Sequence, residues 1–181
     1  MFRGVIRTAL LSDAHEIAAL HVSVSRKTYA NLLHAETLDQ FSVERRATQW
    51  REAINNPTNT AVFVAKDAES RTISGFGCCS RQRSEMLVAE GLTGEFQSIY
   101  VLPPAQRCGI GRALMAEMAR HLSNLAISGA ACWVLRENHK ARRFYEALGG
   151  EIVSDQTLGP RAGGLIELAY GWRSLKSLLG D

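Results

Sequence analysis

A chain of 181 residues accommodates one domain with a sound core, and barely two. With 46% hydrophobic and 22% charged residues it is no disordered chain, and no apolar run approaches the roughly 20 residues of a membrane-spanning helix. The net charge of +3 is spread over interspersed acids and bases, without the basic stripe and interleaved aromatics expected of a nucleic-acid binder. The N-terminus has no charged-then-apolar signal pattern, so the expected compartment is the cytoplasm. Cys78, Cys79, Cys108 and Cys132 form no CxxC, and in a reducing compartment they read as small hydrophobes or, for Cys108, a loop thiol. The five histidines show no ligand spacing, so no metal is expected. No repeat or linker divides the chain, and 1–181 is read as a single domain.

Taken in order, Val5 to Thr8 suits a short opening strand. Ala14, Ile17, Leu20, His21 and Val24 recur at helical spacing after Ser12 and Asp13, predicting a helix over roughly Asp13 to Ser25. Val43, Ala47, Trp50 and Ile54 mark a second helical face that Asn55, Asn56 and Pro57 end. Ala61 to Ala65 and Thr72 to Ser80 read as an antiparallel strand pair, and Arg81 to Gly94, polar with two glycines, as a loop. A strand from Glu95 to Val101 leads through Pro103 and Pro104 into a long helix, with Ile110, Leu114, Met118, Leu122 and Leu125 expected inward. Ala131 to Leu135 fits a buried strand parallel to Glu95–Val101, because a helix separates the two. A helix over His139 to Leu148, stopped by Gly149 and Gly150, then two short strands near Glu151 to Ser154 and Leu165 to Trp172, close the chain.

The stretch between the central strand and its helix carries the chemistry. Gln106, Arg107, Cys108, Gly109, Ile110 and Gly111 form a glycine-spaced loop entering a helix, where unpartnered N–H groups and the helix dipole attract an anion such as phosphate. Glycines at 109 and 111 would let an anion approach the backbone, and Arg107 and Arg112 flank them with full charges. A nucleotide P-loop is excluded because Gly111 is followed by Arg112 and Ala113. A dinucleotide fingerprint is excluded because Leu114 stands where its third glycine belongs.

Gln106-x-x-Gly109-x-Gly111, preceded by Ser98-Ile99-Tyr100-Val101-Leu102-Pro103, resembles the phosphate-binding motif of the GNAT superfamily of acetyl-CoA-dependent N-acetyltransferases. The later block Asn138 to Gly150, reading NHKARRFYEALGG, is similar to that family's Asn-x-x-Ala-x-x-Phe-Tyr-x-x-Leu-Gly-Phe stretch. Gly150 departs from the usual aromatic, which predicts looser packing after the helix. The resemblance implies an α/β GNAT fold: a mixed, mostly antiparallel sheet with helices on both faces and a splayed parallel strand pair.

It also implies roles. The Ile99 N–H would meet the thioester carbonyl, and the Val101 backbone would pair with the pantetheine arm as an added strand would. The main chain of Arg107, Cys108, Gly109, Ile110, Gly111 and Arg112 would hold the diphosphate. Asn138 would contact the cofactor while capping its helix. Tyr145 would protonate the departing thiolate, its dull alternative being a ring packed beside Phe144; Glu95 would take the amine proton directly or through water, its dull alternative being an exposed acid at a strand end. Arg142 and Arg143 read as a solvated helix face, the alternative being that one reaches the cofactor's distal phosphates.

The implied activity is transfer of acetyl from acetyl-CoA, the cosubstrate, directly to a primary amine of a small molecule entering over residues 25–41 and 81–94. Acetylation of a protein N-terminus or lysine is the alternative within the class, and a noncatalytic acyl-CoA-binding regulatory module the alternative outside it. Family habit implies a homodimer, with neither nucleic acid nor membrane as partner.

Overall fold

The computed structural model describes residues 3–30, 42–57, 60–159 and 164–179, except for the side chain of Tyr29. Its strands are β1 (Gly4–Thr8), β2 (Ala61–Asp67), β3 (Ile73–Arg81), β4 (Gly94–Val101), β5 (Ala130–Leu135), β6 (Glu151–Thr157) and β7 (Ile166–Trp172). Its helices are α1 (Ala14–Tyr29), α2 (Val43–Asn55), α3 (Glu85–Ala89), α4 (Ile110–Asn124), α5 (His139–Glu146) and α6 (Lys176–Leu179). The strands form one sheet in the order β1-β2-β3-β4-β5-β7-β6, antiparallel throughout except for β4 against β5. Among the described residues no helix is long and apolar enough to cross a membrane.

Helices cover both faces, which is why β2 is buried along Ala61–Ala65 rather than on alternate residues. On one face Val62, Val64, Phe76 and Cys78 pack against Ile17, Ala18, Leu20 and Val24 of α1 and Ala47 and Trp50 of α2. On the other, Phe63, Cys79, Phe96 and Cys132 pack against Leu114, Met115, Met118 and Leu122 of α4, together with Tyr145 and Leu148. A smaller cluster joins Leu87 and Leu92 to Ala131 and Ala169, on the α1 side of β5 and β7.

Three sequence expectations are corrected. Residues 81–94 contain the one-turn helix α3, whose Leu87 is fully buried; two apolar anchors dock the segment where polar composition alone reads as loop. Leu125 is 46% exposed, because the chain leaves α4 before it. The Ala126 N–H donates to the Ser123 carbonyl and the Ile127 N–H to the Leu122 carbonyl, with Ala126 left-handed at φ 60°. That turn swings Ile127 into the core in place of Leu125.

The third correction concerns Gly150, where packing is tight, not loose. A Cβ there would stand 2.7 Å from Cζ2 of Trp172, whose indole N–H donates to the Leu148 carbonyl at 2.9 Å. The aromatic ring comes from β7 instead of from position 150.

Candidate active site

The site grows from an irregularity in β4. Phe96 pairs with Cys79 and Ser98 with Cys78, so Gln97 is an extra residue on β4. Such a bulge bends its strand. The parallel ladder to β5 consists of Gly94↔Ala130 and Glu95↔Ala131, and it stops just before the bulge. Beyond it β4 and β5 part.

The backbone facing that opening follows from register. The Leu102 N–H donates to the Ser74 carbonyl at 2.9 Å, so Tyr100 and Ser98 turn their peptide groups toward β3, while Ile99 and Val101 turn theirs toward the β5 side. Gln106 Nε2 donates to the Val101 carbonyl at 3.0 Å, tying the loop to the strand end and leaving the Val101 N–H toward the opening.

At the far end of that loop Gly109 caps α4 with φ 95°, a conformation that suits glycine alone, and no side chain caps the helix. The first intrahelical bond runs from the Ala113 N–H to the Gly109 carbonyl, so the N–H groups of Ile110, Gly111 and Arg112 lack helical partners. Arg107, left-handed at φ 64°, and Arg112 are both exposed beside them. Uncapped donors between two exposed cations fit a diphosphate. Gly111 has another reason to be glycine: its Cβ would lie 3.0 Å from the Phe144 ring of α5, so the loop and α5 are in direct contact. Cys108 is half-buried, its thiol 3.5 Å from the Gln106 carbonyl.

Across the opening, Asn138 caps α5 by accepting from the Ala141 N–H at 3.2 Å. Tyr145 is 7% exposed and packs in the same buried cluster as Cys132, the first β5 residue beyond the parallel ladder. Burial holds the Cys132 thiol well above its ordinary value, so it stays protonated near neutral pH. Tyr170 of β7 latches α5 by donating to Glu146 at 2.5 Å and accepting from Arg142 Nε at 3.2 Å. Arg142 also donates to the Arg136 carbonyl at 3.0 Å, so it is tied into the fold while lying at the surface, and Arg143 is exposed as expected.

Glu95 is not an exposed strand-end acid. It is 4% exposed, and both its oxygens are taken by one guanidinium, Arg83 Nε at 2.8 Å and Nη2 at 2.7 Å. The carboxylate holds Arg83 further above its ordinary value. Each carboxylate oxygen keeps another acceptor direction, so the pair leaves Glu95 able to accept from a water or an ammonium. Arg83 was missed from sequence: it lies 12 residues before Glu95 in a polar stretch, and no spacing rule pairs them. Of the entry surfaces expected for the acceptor, 81–94 adjoins this pair, and residues 31–41 lie outside the described ones.

The model of the acetyltransferase (GNAT) family matches residues 26–150. The chain belongs to this family. A curated relative, YuaI of Bacillus subtilis (strain 168), an uncharacterized N-acetyltransferase, is 32% identical over 173 residues, covering 96% of this chain and 95% of its own. PaiA N-acetyltransferase from Thermoplasma acidophilum, solved with coenzyme A, superposes with a TM-score of 0.75 at 16% identity, over 94% of this chain and 100% of that one. YncA of Salmonella typhimurium, a putative acetyltransferase solved with acetyl-CoA, gives 0.70 at 15% identity over 99% and 95%. The structural likenesses carry the GNAT fold, and acetyl-CoA fits as the cosubstrate of a GNAT acetyltransferase built this way.

Proposed function

We propose that this GNAT protein transfers acetyl from acetyl-CoA directly to a primary amine of a small molecule. The observation that carries the reading is the register of β4, which turns the peptide groups of Ile99 and Val101 toward the opening left where the β5 ladder ends. Acetyl-CoA supplies the thioester, whose carbon–sulfur bond breaks as the carbon–nitrogen bond forms.

The chain's own groups divide the work. The uncapped N–H groups of Ile110, Gly111 and Arg112, with Arg107, Cys108 and Gly109 completing the turn, grip the diphosphate. Val101 N–H fixes the pantetheine arm, and Asn138 borders it from the α5 side. Ile99 N–H donates to the carbonyl oxygen as negative charge grows there. Tyr145 O–H moves its proton onto the departing sulfur, and Glu95 takes the proton lost by the amine through an intervening water, using an acceptor direction Arg83 leaves open. Glu95 is recessed rather than exposed, which favours a small acceptor able to reach past the surface.

The test is thiol release from acetyl-CoA across a panel of small amines, N-terminal peptides and lysine peptides, beside a direct measurement of acetyl-CoA binding. Turnover with small amines is expected. Tight binding without turnover on any acceptor would instead indicate a noncatalytic acyl-CoA module, and peptide-only turnover a protein acetyltransferase. Sedimentation would report whether the protein is the homodimer that family habit implies.

A further inference from the structure

Arg83 presents two hydrogen-bonding edges, and the structure uses one. The Nε/Nη2 edge is closed by Glu95, while the Nη1/Nη2 edge pairs with no acid among the described residues and the side chain is 72% exposed. A guanidinium binds carboxylate two-pronged along either edge, so Arg83 can hold a second acid without releasing Glu95.

The arginine is also fixed in advance. Gln82 Oε1 accepts from the Arg83 N–H at 3.0 Å and the Ser84 N–H at 3.1 Å, while Gln82 Nε2 donates to the Gly94 carbonyl at 3.3 Å. Backbone and side chain are therefore both restrained, which removes much of the ordering cost that a free surface arginine pays on binding.

The strand surface beside the pair is polar but neutral. Gln97 Nε2 donates to Ser80 Oγ at 2.9 Å, Ser80 Oγ donates to the Arg81 carbonyl at 2.8 Å, and burial pushes the Cys78 thiol up to about 12, so it carries no charge near neutral pH. An acceptor coming in here meets one recessed carboxylate and one outward guanidinium. A diamine would bring its second positive charge against Arg83, whereas an amine bearing a carboxylate complements both groups.

Resting on the acetyl-transfer reading above, we propose that the acceptor is an amino acid, its carboxylate held by the free edge of Arg83 while its amine is served by Glu95. Arg83 is then a specificity-determining residue rather than one of the reacting groups.

The experiment compares amino acids of increasing chain length, from glycine through lysine, each with its decarboxylated amine, and includes O-phosphoethanolamine beside ethanolamine to separate carboxylate from phosphate as the anion. Wild-type kcat/KM is expected to be at least about tenfold higher for the acid-bearing member of the best pair, the scale of one charge-assisted contact. Arg83→Lys keeps a positive charge beside Glu95 but loses the second edge. It should shrink that ratio about tenfold through KM for the acid, while any change in kcat that follows from losing the two-pronged hold on Glu95 is shared by both members of a pair and cancels in the ratio. Arg83→Gln provides a second variant, read only as the same ratio because it leaves Glu95 unpaired. Amines acetylated as well as or better than their amino acids, a ratio unmoved by Arg83→Lys, or a preference for the phosphate ester would overturn the inference and leave acetyl transfer standing. Binding of acetyl-CoA with no acceptor acetylated would overturn acetyl transfer and the inference with it.

Discussion

The indole of Trp172 lies against the backbone of Gly150, so close that a Cβ at residue 150 would meet Cζ2 at 2.7 Å and Cε2 at 3.0 Å. The same ring packs edge-on against Tyr145 and Phe96, joining β7, α5 and β4. Gly150→Phe, which would install the aromatic usual in GNAT proteins, should therefore destabilise by about 3 kcal/mol or more through overpacking. Trp172→Ala should cost about 3–5 kcal/mol. In the double variant the new ring can enter the vacated space, so its loss should be smaller than the sum. Urea denaturation of the three variants checks this, and strict additivity would mean that the two positions do not share one space.

Phe144 couples the loop before α4 to the helix carrying Tyr145. Gly111→Ala places a methyl 3.0 Å from the Phe144 ring, which must give by a few tenths of an ångström. A stability loss of about 1 kcal/mol is expected, the low end for overpacking because a half-buried ring has to give only slightly, with acetyl-CoA affinity and turnover falling together. Adding Phe144→Leu should recover part of the stability. Unaltered melting and kinetics in Gly111→Ala would show that α5 yields freely.

Tyr145→Phe removes the proposed proton donor while keeping the ring that packs beside Phe144, Tyr170 and Trp172. Turnover should fall by about 10² or more, with little change in acetyl-CoA affinity. Single-turnover rates and equilibrium binding separate the two effects, and an undiminished rate would take Tyr145 out of the mechanism.

His21 gives the stability an acid-side slope. Burial among Trp50, Phe76 and Tyr100, with Arg46 adding to the effect, lowers it from 6.5 to about 4. Between those values the unfolded chain binds a proton that the folded chain does not, so stability falls as pH drops through the window. The whole shift is worth about 3 kcal/mol, and below pH about 4 this contribution changes no further. Asp13, held below its ordinary value against its own burial by Arg7 and the Leu10 N–H, loses its contribution at lower pH still. Urea unfolding at pH 7, 5.5 and 4 should reveal the slope, and His21→Leu should flatten it.

The order of elements was readable because each major segment agrees with its own period. Ala14, Ile17, Ala18 and His21 repeat at helical spacing and are buried, and the two motif blocks fell where the loop before α4 and the start of α5 stand. Boundaries drifted where local pattern and packing disagree: α1 runs on to Tyr29, and Leu125 kept the helical period after Ala126 had already turned the chain.

The residue pattern by itself determined the family and the uncapped helix N-terminus before α4, and it singled out Tyr145 as a candidate, because loops, caps and amphipathic faces are encoded by neighbours a few positions apart. Only the tertiary structure decided that Glu95 is paired with Arg83, that Gln97 is the bulge at which β4 leaves β5, and that Trp172 supplies the ring missing at Gly150. Those relations join residues distant in the chain or depend on strand register. Register follows from how the whole sheet buries its two faces, a sum over many contacts that no single stretch of residues contains.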